Sequence, residues 1–303
     1  MNRLLAFRAS EPERLRTVLR RHPGALPGAA PSDKTPVPGE EAPPRREGSL
    51  RWGVGLYVGG EPLLQRFTDE ASRGATAASE LRTDYLLAQS SRVPDAAPAR
   101  PATEPRPAGA EPVPASAQSV PGGRDKGPQH PITPPLRYRR FLFAVQGDLS
   151  QLARDRAALR ASLPQPLHAN LRGDGDEELL FHALLARMHE ADPSYLEDPQ
   201  LRVEVAVAAL GQILLSAGSG PQHAVLGNGT WLVAARRGSA PLWYRALAGL
   251  GEGSEEADDG FRAVLAFADL GGPTGGAGLT ELPDGHALVI GPDVAFQIVP
   301  LLP

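Results

Sequence analysis

The sequence predicts an α+β fold in which stacked β-sheets are covered by helices. Three observations lead to this prediction. Short apolar runs of strand length occupy the first half of the chain, two apolar helical patterns follow in the middle, and only strand-like runs come after Gly220. Strands on both sides of a helical middle are typical of layered sheets rather than of alternating strand–helix units.

Each strand is predicted from a short apolar run bounded by turn residues. In the first half of the chain these runs lie at residues 4–7, 52–58, 63–67, 85–88 and 141–145, and Gly59-Gly60 makes the turn between the second and the third. In the last third they lie at residues 224–226, 231–235, 242–245, 264–267, 287–290 and 296–301.

Three helices are predicted from apolar spacing. Ser10 lies three residues before Glu13, and apolar residues follow at helical intervals, which predicts a capping box and an amphipathic helix ending at about Arg21. Residues 177–190 carry apolar side chains on one face, and residues 201–217 are apolar on most sides. The last of these helices is therefore expected deep in the fold.

Two proline-rich segments interrupt the folded pattern, at residues 23–49 and 94–135. Both consist mainly of Pro, Gly and Ala with few large apolar residues, so neither buries enough apolar area to offset the entropy of the chain. We expect one domain over residues 1–303, interrupted by these two flexible, disordered insertions.

Composition excludes several classes of protein. The chain has 31 basic and 35 acidic residues, so no overall positive charge is available to hold nucleic acid or an anionic membrane. Cysteine is absent, which excludes disulfides, thiolate metal sites and thiol nucleophiles. No apolar run is long enough to cross a membrane, and the N-terminal apolar run is too short for a signal peptide. A cytoplasmic protein is expected.

Four short motifs occur in an informative order. They are MNRLLA at residues 1–6, RWGVGLY at 51–57, FAVQGD at 143–148 and GDGDEELLF at 173–181. In this order they resemble the class II glutamine amidotransferases, in particular a stand-alone branch that begins Met-Cys-Arg-Leu-Leu. The resemblance implies the N-terminal-nucleophile hydrolase fold, a four-layer αββα sandwich, over the whole chain outside the proline-rich segments.

The resemblance also implies a catalytic apparatus that this chain has changed at three positions. The family's nucleophile is a cysteine at position 2, where this chain has Asn2, and a carboxamide is not a nucleophile. Initiator removal generally needs a small second residue, so we expect Met1 to be kept. The family's substrate-clamping arginine falls at Ser91, and the asparagine of its oxyanion hole falls at Gln146. No catalytic residue is assigned, and these three positions are read as degenerate.

Other family positions are retained. Trp52, Gly53, His130, Gly147 and Asp176 match family positions and are the predicted ligand-binding residues, and the resemblance assigns the substrate's α-amine to Asp176. A structural histidine beside a proline turn explains His130 equally well. We therefore predict a binding, regulatory or scaffold protein that uses the former cleft. Its partner would be another protein or a small amino-acid-like ligand, and a homo-oligomer is possible; no cofactor and no metal are expected.

Two alternatives were weighed. A working amidotransferase or amidohydrolase with a different nucleophile would use Ser90 or Ser91, but no histidine is placed by sequence to activate either one. Glu178, His182 and His189 share one face of the predicted helix over residues 177–190 and could suggest a metal site. Without a further ligand at fixed spacing, a packed or solvated helix face explains them better.

Overall fold

A computed structural model describes residues 3–14, 49–68, 82–93, 133–196, 202–248, 261–269 and 278–302. The strands are β1 (Arg3–Arg14), β2 (Ser49–Val58), β3 (Glu61–Thr68), β4 (Arg82–Val93), β5 (Leu136–Tyr138), β6 (Phe141–Gly147), β7 (Gln222–Gly227), β8 (Leu232–Arg237), β9 (Leu242–Ala248), β10 (Arg262–Asp269), β11 (Thr280–Glu281), β12 (His286–Ile290) and β13 (Phe296–Pro300). The helices are α1 (Ser150–Ser162), α2 (Gln165–Ala169), α3 (Asp176–Ala191) and α4 (Val203–Ala217), with a 3₁₀ turn at Pro193–Leu196.

The strands form two antiparallel sheets. The seven-stranded sheet has the order β11-β9-β10-β1-β4-β2-β3, and the six-stranded sheet has the order β13-β12-β8-β7-β6-β5. β1 lies inside the first sheet, paired with β10 on one side and β4 on the other. β1 therefore lies between a strand from the first third of the sequence and a strand from its last fifth.

Side chains alternate between the two faces of each sheet, and this alternation builds the layers. One apolar cluster, which includes Leu4, Leu142 and Val225, lies between the sheets. A second cluster joins the six-stranded sheet to the helices. A third, which includes Phe7 and Trp52, is buried on the other face of the seven-stranded sheet. The predicted α+β class with two stacked sheets is confirmed.

The predicted capping box at Ser10 is wrong. Residues 10–14 continue β1, and the Ser10 Oγ accepts a hydrogen bond from the Arg262 backbone N–H at 3.0 Å, so it does not cap a helix. The pairing of β1 shifts between Arg8 and Glu13, which marks a bulge. Pairing of Ala9 with β10 and of Glu13 with β4, on either side of Ser10, keeps this segment extended and overrides the local helix signal. Residues 15–21 lie outside the described residues.

The two central helices agree with the sequence, with α3 and α4 within two residues of the predicted bounds. α1 was not predicted, because its sequence is rich in charged residues and has no pronounced apolar face.

Of the proline-rich segments, only the ends are described. Pro134 and Pro135, the last residues of the second segment, are buried. The peptide bond between them is cis.

Candidate functional site

A row of polar side chains crosses one end of the six-stranded sheet on the face toward the other sheet. Gln146 pairs with His223 across β6 and β7, and His223 pairs with Arg236 across β7 and β8. Their neighbours two residues along, such as Ala144 and Val225, belong to the cluster between the sheets. The three side chains are 3%, 0% and 6% exposed, so this row is a buried polar strip at the edge of an apolar core.

Hydrogen bonds hold the side chains of this strip in place. The His223 Nε2 lies 2.9 Å from the Ala240 carbonyl oxygen, and its Nδ1 lies 3.3 Å from the Gln146 Nε2. Burial lowers the pKa of His223, and the positive charge of Arg236 lowers it further, so the neutral imidazole is favoured. Arg236 itself is bound by the Glu281 carboxylate and the Leu282 carbonyl.

The Gln146 carboxamide uses its N–H toward His223. Its Oε1 is buried and has no hydrogen-bond partner. A carbonyl oxygen accepts but does not donate a hydrogen bond, so this oxygen cannot stabilise an oxyanion.

Gly147 follows Gln146 in a conformation that favours glycine, with φ of 120°. A Cβ at this position would lie 2.1 Å from the Pro221 carbonyl oxygen. Close packing against the loop before β7 therefore suffices to explain why glycine occupies position 147.

The next residue, Asp148, receives hydrogen bonds from Ser150 and from the Gly220 backbone N–H, which lower the pKa of its carboxyl to about 2.

The seven-stranded sheet contributes Gly53 and Gln89 to the same end of the sandwich. A Cβ on Gly53 would lie 2.4 Å from the Pro134 carbonyl oxygen, so glycine allows the chain before β5 to cross β2. The Gln89 Nε2 donates to the Val145 carbonyl at 2.6 Å, and its Oε1 accepts from the Val145 N–H at 3.1 Å. Gln89 thus pairs with β6 as a short strand would. Gln89 was not among the predicted site residues, although a lone glutamine directly after the apolar run of β4 was a usable signal.

Trp52 and Ser90 lie on the opposite face of the seven-stranded sheet. They pair with each other across β2 and β4. The Trp52 ring stacks on Phe67 with centroids 4.3 Å apart, and the Ser90 Oγ accepts a hydrogen bond from the Arg3 backbone N–H at 3.1 Å. Among the retained positions, Trp52 is thus part of an apolar cluster and is separated by the sheet from Gly53 and Gln146.

Asp176 begins α3 and is already engaged. The Arg156 guanidinium of α1 binds the Asp176 carboxylate and donates to the Asp174 carbonyl at 2.6 Å. Arg160 binds the Asp174 carboxylate at 2.9 Å. The carboxylates of Asp174 and Asp176 are therefore both paired with arginines of α1, a helix that was not predicted from the sequence.

The acidic and histidine face of α3 makes structural contacts. The Glu178 carboxylate accepts from the Arg172 and Gly173 backbone N–H groups at 2.8 and 2.7 Å. His182 is buried beside Tyr138, its Nδ1 lies 2.9 Å from the Glu178 carbonyl, and burial lowers its pKa. In the parts of the chain that the structure covers, no three His, Asp or Glu side chains are grouped to hold a metal.

Three of the predicted site positions cannot be placed with their side chains. Asn2 and His130 lie outside the described residues, and position 91 is described by its backbone, which pairs with Arg51 across β4 and β2. The structure therefore brings together Gly53, Gln146 and Gly147 of the predicted set. Within the described ranges, no helix is both long and apolar enough to span a membrane.

Solved structures of glutamine amidotransferase proteins share this architecture. A glutamine aminotransferase class-II domain protein from Silicibacter pomeroyi aligns with 99% of this chain and 100% of its own, at 18% identity and a TM-score of 0.52. A predicted glutamine amidotransferase from Pseudomonas aeruginosa aligns over 98% of both chains, at 15% identity and a TM-score of 0.50.

A longer enzyme shares the fold over part of its length. Glutamine phosphoribosylpyrophosphate amidotransferase from B. subtilis aligns with 99% of this chain but only 49% of its own, at 11% identity and a TM-score of 0.50. No protein-family model and no curated protein matches the sequence. At these identities the likeness establishes the fold alone: the chain has the N-terminal-nucleophile hydrolase fold of class II glutamine amidotransferase domains.

Proposed function

We propose that this chain is a catalytically degenerate protein of the class II glutamine amidotransferase type, which uses the former glutamine cleft for binding. The single observation that carries the proposal is the orientation of Gln146. One of its two amide N–H groups is directed to His223, and its buried oxygen, which cannot donate, has no hydrogen-bond partner. An amidotransferase needs a donor where negative charge develops, and removing one such donor costs about 10²–10³ in rate.

Two further observations support the loss of catalysis. The chain contains no cysteine, and position 2, where the resemblance implies the nucleophile, is Asn2. The Asp176 carboxylate, which the resemblance assigns to the substrate's α-amine, is paired with Arg156. To act as an ordinary glutamine amidotransferase, this chain would need a nucleophile at position 2, an oxyanion donor at Gln146 and an Asp176 carboxylate released from Arg156.

The surroundings of Ser90 do not favour the rival function, a hydrolase with a serine nucleophile. This residue is 1% exposed and its Oγ is held by the Arg3 backbone N–H. Serine nucleophiles need an adjacent base, and Ser90 lies on the opposite face of its sheet from the strip that holds His223. Labelling of the intact chain by a fluorophosphonate at Ser90 or Ser91 would revive this rival.

We also propose what kind of molecule this chain binds. It is a small amino-acid-like ligand or a protein partner, with a homo-oligomer as one form of the latter, and the expected location is the cytoplasm. The charge balance of 31 basic against 35 acidic residues supplies no overall positive charge to hold nucleic acid or an anionic membrane.

Ammonia release from L-glutamine by the purified chain tests the proposal. We expect no release by the wild type. The Asn2→Cys variant restores a nucleophile and permits initiator removal, and an Asn2→Cys/Gln146→Asn variant also returns the oxyanion residue. Asn2→Ser is the matched control for a small residue at position 2. Turnover by the wild type would overturn the proposal, because another residue would then supply the nucleophile.

A further inference from the structure

The strand β13 forms one edge of the six-stranded sheet. Among the described residues it pairs with β12 alone, so one side of its backbone is open. Hydrogen bonds at both ends of the β12–β13 hairpin involve its odd-numbered residues, and at the far end the Leu301 N–H donates to the Gly285 carbonyl at 2.8 Å. Because successive backbone groups of an antiparallel strand point to opposite sides, the N–H and carbonyl groups of Phe296 and Ile298 point outward.

This edge also has an apolar surface. Phe296 and Ile298 lie opposite residues of β12 that face the other sheet, yet their side chains are 40% and 38% exposed. Of the six large apolar side chains that are exposed in the described part of the chain, three lie on β13 or directly after it. Edge strands commonly carry charged residues that discourage pairing with another chain, but residues 294–302 contain none. The edge therefore combines free backbone groups with exposed apolar side chains, as surfaces that contact another protein do.

Pro300 limits how a second strand can pair with this edge. It occupies the next outward-facing position, where it has no N–H to donate and where its ring excludes a partner carbonyl. A two-fold pairing centred on Ile298 would set Pro300 against Phe296 of the other copy. A pairing centred on Gln297 avoids this conflict, since it sets Phe296 against Ile298 and leaves Pro300 beyond the end of the partner strand.

We propose that two copies of this chain pair antiparallel through β13, about a two-fold axis at Gln297, and join their six-stranded sheets into one continuous sheet. The inference rests on the homo-oligomer of the proposed function and does not involve the former cleft, since β12, β8 and β7 separate β13 from the strand that holds Gln146. In this register the outward groups of Phe296 meet those of Ile298 in the other copy. Every outward donor and acceptor of these two residues then has a partner.

Charge and side-chain pairing favour a second copy as the occupant. The chain has 35 acidic and 31 basic residues, so two copies repel each other overall, whereas the uncharged segment 294–302 sets no like charges opposite one another. Phe296 lies beside Ile298 of the other copy, and such aromatic and β-branched pairs stabilise antiparallel strands. On the opposite face, Gln297 lies beside Gln297 of the other copy, where each carboxamide can donate a hydrogen bond to the other.

Analytical ultracentrifugation of the full-length chain over a range of concentrations tests the association. We expect a reversible dimer with twice the mass of one chain. Ile298→Lys places a charge in the apolar cross-strand pair and should return the chain to a monomer. Leu63→Lys is the matched control, because it lies at an exposed position on β3, an edge strand of the other sheet, and should leave the dimer intact. A wild type that stays monomeric at every concentration would refute the inference.

Disulfide cross-linking tests the register, because the chain has no cysteine of its own and a single one can be introduced. Directly opposed residues of a non-hydrogen-bonded pair have Cα atoms about 4.5 Å apart, within the range of about 4.4–6.8 Å that a disulfide spans. We expect Gln297→Cys to give disulfide-linked dimers in oxidised glutathione. Gln65→Cys, at an exposed position on β3, is the matched control and should run as a monomer on a non-reducing gel.

The outcomes separate this inference from the proposed function. A dimer that survives Ile298→Lys, or a Gln297→Cys chain that cross-links no more than Gln65→Cys, would overturn the pairing through β13 but leave a homo-oligomer in place. A monomeric wild type would overturn the homo-oligomer as well, without affecting the test of glutamine hydrolysis. If Ile298→Lys does not fold, the mass of the wild type and the cross-linking of Gln297→Cys still decide the inference.

Discussion

Replacing Gly147 by alanine places a methyl group against the backbone of the loop before β7. The new Cβ would lie 2.1 Å from the Pro221 carbonyl oxygen and 2.8 Å from the Gln222 Cα, at a φ of 120° that L-residues rarely adopt. Backbone strain of this kind costs about 1–3 kcal/mol. Overpacking against atoms that cannot rotate away costs about 1–3 kcal/mol more. We therefore expect Gly147→Ala to lower the free energy of unfolding by about 2–6 kcal/mol.

Gly60→Ala is the matched control, because it carries only the backbone part of this cost. Gly60 has φ of 84° in the turn between β2 and β3, and a Cβ there meets nothing within 4 Å. We expect a loss of about 1–2 kcal/mol. Urea unfolding of the two variants, compared by midpoint at unchanged slope, measures the difference. Equal losses would refute the reasoning, since the close approach of Pro221 would then have no energetic effect.

Two further predictions concern the same end of the sandwich and the buried histidines. Gln89→Leu should cost about 2–6 kcal/mol, because it leaves the Val145 N–H and carbonyl unpaired, whereas Gln65→Leu on the exposed part of β3 should cost little in the same urea assay. Burial lowers the pKa of His182 and His223, so the folded chain binds fewer protons than the unfolded chain below about pH 6.5. Stability is therefore complete above that pH and falls as the pH drops below it. The urea midpoint should be lower at pH 5.0 than at pH 7.5, and a His182→Phe variant should show a smaller drop; an unchanged midpoint in the wild type would contradict the burial argument.

Much of the fold could be predicted from the sequence because apolar periodicity reports burial. The strands near residues 52–58 and 141–145, the turn at Gly59-Gly60 and the helices α3 and α4 all lie where the apolar pattern placed them. The order of the four motifs predicted the architecture that the solved structures share. Local signals failed where tertiary contacts were stronger, as at Ser10, whose Oγ accepts a hydrogen bond from the Arg262 backbone N–H instead of capping a helix.

The candidate site was only partly predictable, because its partners lie far apart in the sequence. The resemblance indicated Gln146 and Gly147, but His223, 77 residues from Gln146, had no motif around it. The same holds for Gln89, which binds β6 across 56 residues, and for Arg156, which binds Asp176 from a helix without an apolar signature.

The sequence by itself excluded thiol chemistry and predicted sheets covered by helices. The absence of cysteine and the spacing of apolar residues are properties of the chain alone. The tertiary structure decided which atom each polar side chain presents. Gln146 could have offered a donor or an acceptor, and that choice depends on the proton of His223, which depends in turn on the carbonyl of Ala240. Hydrogen-bond polarity is a relation between neighbours in space, so no single segment of the sequence carries it.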